Sequence, residues 1–223
     1  MELSNNKQNK ISSELISLVP LTLNPENFSP SIVAEWLNNP ETNEHLSLKP
    51  PITKDNVKEL VLGREKKHLH HWGIFVNEIS FVGLVSCSAC GPKGRYKDRK
   101  WVDVSIVIGK EYTGKRISKS ALAGAIHYLF FESGFESLEY ITAGFKKKNV
   151  TISNIIESLG FQKILPGDEI LQDIPTKEEE IRMKLLKDEW IKNEWNSEKK
   201  RAKKVTPPLW EKNMNVNLRL KEK

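Results

Sequence analysis

Thr113-Gly114-Lys115-Arg116-Ile117-Ser118 stands between a strand-forming run, Trp101 to Gly109, and a helix-forming run that begins near Ser118. Where a strand feeds a helix, the first-turn amides have no partner inside the helix and the dipole is positive, so an anion is favoured there. Gly114 removes side-chain obstruction, Lys115 and Arg116 add positive charge and Ser118 adds a hydroxyl, which makes the turn a candidate pyrophosphate cradle. Every such connection presents the same amides, and most hold water or a cap, so spacing alone leaves both readings open.

Other chemistry-bearing groups are weaker. Cys87 and Cys90 have the spacing of half a zinc or redox site, with His68, His70 and His71 nearby, but a second ligand pair is missing and no metal is expected. Cysteines on a strand read as small buried apolar residues. His127 falls beside a helical apolar stripe and reads as packed. Lys93, Arg95, Lys97, Arg99 and Lys100 crowd one loop, which is either a solvated hairpin tip or a surface for a phosphate-bearing acceptor.

The elements that must position these groups alternate in type. A run of Leu, Ile and Val from Glu14 to Asn24, broken by Pro20, predicts a first strand near a sheet edge. Ser29 or Ser31 is placed to cap a helix carrying Ile32, Val33, Trp36 and Leu37, stopped by Asn38-Asn39-Pro40, and Thr53 to cap a second with Val57, Leu60 and Val61. His71 to Cys90 predicts a hairpin turning at Asn77-Glu78. In Trp101 to Gly109 alternation is strict: Val102, Val104, Ile106 and Ile108 share one face, Asp103, Ser105 and Val107 the other. A helix with Leu122, Ala125, Ile126, Leu129 and Phe130 follows, then a strand from Leu138 to Phe145. Next come a helix opened by Asn149 and closed by Gly160, and a strand from Phe161 to Leu165. The class is α+β, a sheet with helices on both faces.

Composition bounds the rest. The chain has 223 residues, against a prior of about 150 per domain, so one domain with extensions is expected. From Lys177 onward 14 basic residues face 9 acidic, while the first 176 residues hold 21 against 20. The basicity belongs to the tail, which argues against a nucleic-acid-binding body and leaves Lys199 to Lys204 as a candidate contact for RNA or an acidic partner. The opening Met1 to Lys10 has no basic-then-apolar leader, and no run approaches a membrane span. The chain reads as soluble and cytoplasmic, with no membrane partner. Trp190, Trp195 and Trp210 imply that part of the tail packs.

The segment Asp103 to Ala123 resembles motif A of the GNAT superfamily of acetyl-CoA-dependent N-acetyltransferases, in particular the branch acetylating ribosomal-protein N-termini and its amino-sugar relatives. Ile141 to Phe161 resembles motif B, in which a strand ends in an Asn that opens a helix finishing in Leu-Gly-Phe. Glu35 to Leu46 resembles the branch's acceptor-side segment and Ile181 to Trp190 its last strand. The four stand in the family's order. The resemblance implies an arm at 1–14, a GNAT domain at 15–195 and a basic tail at 196–223, with a mixed, mostly antiparallel sheet whose fourth and fifth strands splay apart.

By the same resemblance, the pantetheine arm of acetyl-CoA lies along Val107, Ile108 and Gly109, the pyrophosphate on Thr113, Gly114, Lys115, Arg116, Ile117 and Ser118, and Asn149 contacts the arm. Asp103 takes the place of the carboxylate that accepts the amine's proton, Ser153 is a candidate proton donor to the thiolate, and Trp36 and Asn38 are candidate acceptor contacts. An amide near Ile108 would hold the oxyanion. Two positions depart from the pattern. Arg116 stands where the family has Gly, and Ile156 where many members have a Tyr that protonates the thiolate. The implied activity is acetyl transfer to a primary amine, on a nucleotide-linked amino sugar or a protein N-terminus; the departures leave open a binding module without turnover.

Overall fold

The computed structural model describes residues 16–21, 28–46, 48–61, 70–88, 100–165, 168 and 179–193. The arm at 1–14, the loop from Gly91 to Arg99 and the tail at 196–223, with Trp195 and Trp210, lie outside the described residues.

Strands β1 (Ile16–Pro20), β2 (His70–Val76), β3 (Ser80–Ser88), β4 (Trp101–Ile108), β5 (Tyr140–Lys146), β6 (Gln162–Lys163) and β7 (Glu180–Leu186) form one seven-stranded sheet in the order β1-β2-β3-β4-β5-β7-β6. Every pairing is antiparallel except β4 with β5. Asn77 and Glu78, at φ 52 and 62, turn the β2–β3 hairpin where the sequence placed its tip.

The alternation along β4 sends its residues to the two faces of the sheet. Val102 and Val104, with Ile106 and Ile108 against them, join the larger core under α4 (Ile117–Phe131) and α5 (Val150–Ser158). On the opposite face, α1 (Pro30–Asn38) and α3 (Lys54–Val61) bury Val33, Trp36, Leu37, Val57 and Val61, with Val107 packed beside them. Helices on both faces of a mixed sheet follow directly.

Local chemistry matches the sequence at some ends and departs at others. The Asn56 amide donates to Thr53 Oγ1 at 3.2 Å while Asn56 Oδ1 accepts from the Thr53 amide at 2.9 Å, a reciprocal cap for α3. Ser29 precedes α1 without a side-chain bond, and Pro30 opens the helix instead. Asn39-Pro40 does more than stop α1: Asn39 Oδ1 accepts from the Glu41 amide at 3.0 Å and starts a second short helix, α2 (Pro40–Asn43). The last strand ends at Leu186 rather than reaching Trp190. Alternating Ile181, Met183 and Leu185 serve it, but Asp188 and Glu189 break the period, and residues 187–193 form a helix that buries Trp190. The strand expected from Phe161 to Leu165 narrows to the β6 pair beside β7.

Candidate active site

Strands β4 and β5 pair at only three rungs, Trp101↔Tyr140, Val102↔Ile141 and Asp103↔Thr142. Beyond Asp103 each keeps its outer neighbour, β4 staying on β3 as far as Ile108↔Gly83 and β5 on β7 as far as Lys146↔Glu180. The sheet therefore opens in a wedge whose apex is the Asp103–Thr142 rung. The Gly109 amide donates to the Val82 carbonyl at 3.0 Å. Antiparallel alternation then turns the main-chain groups of Ile108, Ile106 and Val104 away from β3 and toward the wedge.

One turn of 3₁₀ helix, Lys110–Tyr112, leads from β4 to the cradle. Thr113 folds back on it, its amide and hydroxyl both donating to the Lys110 carbonyl, at 3.2 and 2.8 Å. Gly114 and Arg116 both have left-handed backbones, φ 77 and 63. Arg116 is the residue preceding α4 and offers no side-chain cap to the first-turn amides. Ile117 is a buried core residue, so its amide is what it can give a ligand. Lys115 Nζ sits 5.3 Å from the centre of the Tyr112 ring. The exposed Arg116 side chain has no partner among the described residues.

Asp103 lies on the face away from α4. Its Oδ1 accepts from the Thr142 hydroxyl at 2.8 Å and from Arg182 Nη1 at 2.8 Å. No donor reaches Oδ2 among the described residues. Burial raises the Asp103 pKa above the usual carboxylate range, with Arg182 and the Thr142 hydrogen bond pulling in the opposite direction.

The other residues singled out by sequence have defined places. Asn149 caps α5, its Oδ1 accepting from the Ile152 amide at 3.1 Å. Ser153 Oγ donates to Glu157 Oε1 at 3.1 Å, and Ile156 is buried in the larger core. Trp36 is buried, stacked on Phe81 with ring centroids 5.4 Å apart. The Asn38 amide donates to the carbonyls of Ala34 and Ile52 at 2.8 and 2.7 Å and accepts from the Ile52 amide at 2.8 Å. These two side chains have packing and clamping duties. Cys87 is buried on β3; Cys90 and His68 lie outside the described residues.

Sequence reading missed α2 and what it does. Glu41 pairs with Lys110 at 2.7 Å, just past β4. Glu44 pairs with Lys148 at 3.0 Å and its carbonyl accepts from Lys146 Nζ at 2.9 Å, at the end of β5. The short helix and its following turn thus span the two arms of the wedge. Glutamates on the acceptor-side segment and lysines after each strand were the available signal, without any local pattern to join them.

A family model described as an acetyltransferase (GNAT) domain matches residues 20–162. The chain belongs to the GNAT acetyltransferase family. As a GNAT protein it is an acetyl-CoA-dependent N-acetyltransferase, and the splayed sheet is the fold that the sequence resemblance implied. No curated protein matches the chain. Among solved structures it is similar to a spermidine N-acetyltransferase from Vibrio cholerae in complex with CoA and spermine, at 17% identity and TM-score 0.61, covering 79% of this chain and 98% of that one. An aminoglycoside acetyltransferase in complex with coenzyme A is similar at 14% identity and TM-score 0.62, covering 80% and 99%. A ribosomal-protein-S5-alanine acetyltransferase from Vibrio fischeri is similar at 19% identity and TM-score 0.56, covering 78% and 93%. At these identities the likeness is one of GNAT fold. No described helix is long and apolar enough to cross a membrane.

Proposed function

We propose that the chain moves acetyl from acetyl-CoA to the primary amine of a nucleotide-linked amino sugar or a protein N-terminus, by direct attack with Asp103 as base. The observation that carries this reading is the wedge with a carboxylate at its apex. Main-chain groups of Ile106 and Ile108 face the wedge and can pair with an extended pantetheine arm as an added strand would, with Val107 and Gly109 alongside. Amides of Gly114, Lys115, Arg116, Ile117 and Ser118 then receive the pyrophosphate, Thr113 holding the turn in shape. Asn149 borders the arm from α5.

A primary amine is mostly protonated at pH 7 and has no free electron pair in that form, so the nitrogen must lose a proton before it attacks the thioester carbon. Asp103 Oδ2 accepts that proton, directly or through one water, and burial makes it a stronger base than a surface carboxylate. The Ile108 amide stabilises the oxyanion. When the carbon–sulfur bond breaks, Ser153, whose hydroxyl rests on Glu157, passes its proton to the thiolate and regains through water the proton that the forming amide nitrogen sheds. Ile156 has none to give.

Calorimetric titration with acetyl-CoA, followed by thiol release across an amine panel, tests the reading. The panel holds a nucleotide-linked amino sugar, an alanine-initiated peptide, a polyamine and an aminoglycoside. Release with either of the first two is expected. Release with only the polyamine or the aminoglycoside overturns the acceptor assignment, and binding without release from any amine assigns the chain a binding role.

A further inference from the structure

Arg182 reaches Asp103 from two strands away. In the order β4-β5-β7 it lies opposite Gly144 of β5, and its side chain must cross β5 to bring Nη1 to within 2.8 Å of Asp103 Oδ1. It crosses over Gly144. A Cβ built on that glycine would stand 2.6 Å from Cζ, 2.7 Å from Nε and 2.8 Å from Nη1 of Arg182. Glycine in the middle of a strand costs stability, and close approach of another group is what it permits. Nη2 lies 3.6 Å from Glu180 Oε2, so the guanidinium is shared by two carboxylates, all three side chains largely buried. Its Nε is buried without an acceptor among the described residues.

We propose that Arg182, threaded across β5 over Gly144, is a positioning residue for the reaction: it fixes the Asp103 carboxylate by Oδ1 and leaves Oδ2 to take the amine's proton. The proposal rests on Asp103 being the base. Planar guanidinium geometry suits it, since one edge holds Asp103 while Glu180 fixes the other. Among the described residues, the charged groups acting on Asp103 are Arg182 and Glu180 of β7. Ser88 of β3 and Thr142 of β5 stand opposite it in register, and Ser105 follows it on its own face of β4. Lys184 and Lys146, which share that face, are held by Asp168 at 3.1 Å and by the Glu44 carbonyl.

The decisive measurement is the titration of the Asp103 carboxyl carbon by carbon-13 NMR in the full chain, assigned by its loss in Asp103→Asn. Arg182→Gln and Gly144→Ala are each expected to raise its midpoint by about one pH unit or more, because an adjacent guanidinium lowers a carboxylate by about that much. Arg182→Lys should restore at least part of the shift. Gly144→Ala suits a strand and keeps all charges, so it reports on the path of the guanidinium alone. Should Arg182→Gln fail to fold, Arg182→Gln with Glu180→Gln also removes the second carboxylate, and its midpoint should still exceed wild type. Thiol release should fall in kcat across the series while the affinity for acetyl-CoA holds. A midpoint that stays in place while kcat falls overturns the positioning role. Undiminished turnover in Asp103→Asn sinks the base reading instead, whatever the midpoints do.

Discussion

The indole of Trp36 lies against the backbone of Gly109 so closely that a Cβ built on the glycine would stand 2.8 Å from Cε2 and 2.9 Å from Nε1. An α1 side chain thereby sets the exit of β4, at the point where the chain leaves the sheet for the cradle. Gly109→Ala should push the ring off Phe81, on which it stacks at 5.4 Å. Overpacking of this kind costs about 1–3 kcal/mol. A lowered thermal midpoint together with altered tryptophan fluorescence is the expected result, and an unchanged midpoint would show that Trp36 yields freely.

Arg116 holds a conformation that suits glycine, φ 63, at the residue opening α4. A left-handed backbone costs a non-glycine residue about 1–2 kcal/mol, and glycine gives back part of that through its freer unfolded chain. Arg116→Gly should therefore stabilise the fold by up to about 1 kcal/mol. Differential scanning calorimetry of the unliganded protein reads this directly. A fall in the midpoint would mean that the side chain contributes contacts outside the described residues. Titration with acetyl-CoA on the same variant separates the cost of the backbone from any grip the guanidinium has on phosphate.

The two departures from the family pattern were visible as residue types, but only the structure gives their consequences. At Arg116 the backbone keeps the glycine shape despite the side chain, and at Ile156 the position turns into the core. Strand β4 was legible because period-two alternation is local, and α5 because Asn149 and Gly160 mark its ends. Asp103 was legible as a candidate through its motif, whereas its partners were not. Thr142 and Arg182 meet it through parallel and antiparallel pairings that no local pattern records. Gly144, a lone glycine within a strand pattern, was the sequence signal that something passes close by. The strand-to-helix change after Leu186 was hidden for a similar reason, since Trp190 fits either period until its burial is known.

Helix α2 and the turn after it tie the wedge from both sides, Glu41 to Lys110 and Glu44 to Lys148. Exposed pairs like these are screened by salt and add little to stability. Their effect should appear in acceptor handling instead, because α2 sits on the segment that resembles the acceptor side. Glu41→Gln with Glu44→Gln is expected to raise the KM for the amine severalfold and leave the affinity for acetyl-CoA unaltered, with the thermal midpoint nearly unmoved. High salt should mimic the double variant in the wild type. Equal KM values at low salt would remove α2 from any role in admitting the acceptor.

His70 begins β2 inside an aromatic box, stacked on Trp72 at 5.4 Å and met edge-on by Tyr128 and Phe135 at 5.6 and 5.8 Å. Burial lowers its pKa from 6.5 to about 4. The folded chain thus keeps the ring neutral at pH values where the unfolded chain protonates it. Below pH 6.5 the unfolded state gains a proton that the folded state refuses, so stability falls with pH until the folded ring itself titrates near 4. The loss across that window is on the order of 2–3 kcal/mol. His70→Phe keeps the stacking and removes the titration, so its denaturation midpoint should decline less between pH 7 and pH 4 than that of the wild type. Parallel declines in the two proteins would place the acid sensitivity elsewhere, with the carboxylates paired to Lys148 and Lys184 as the next groups to replace.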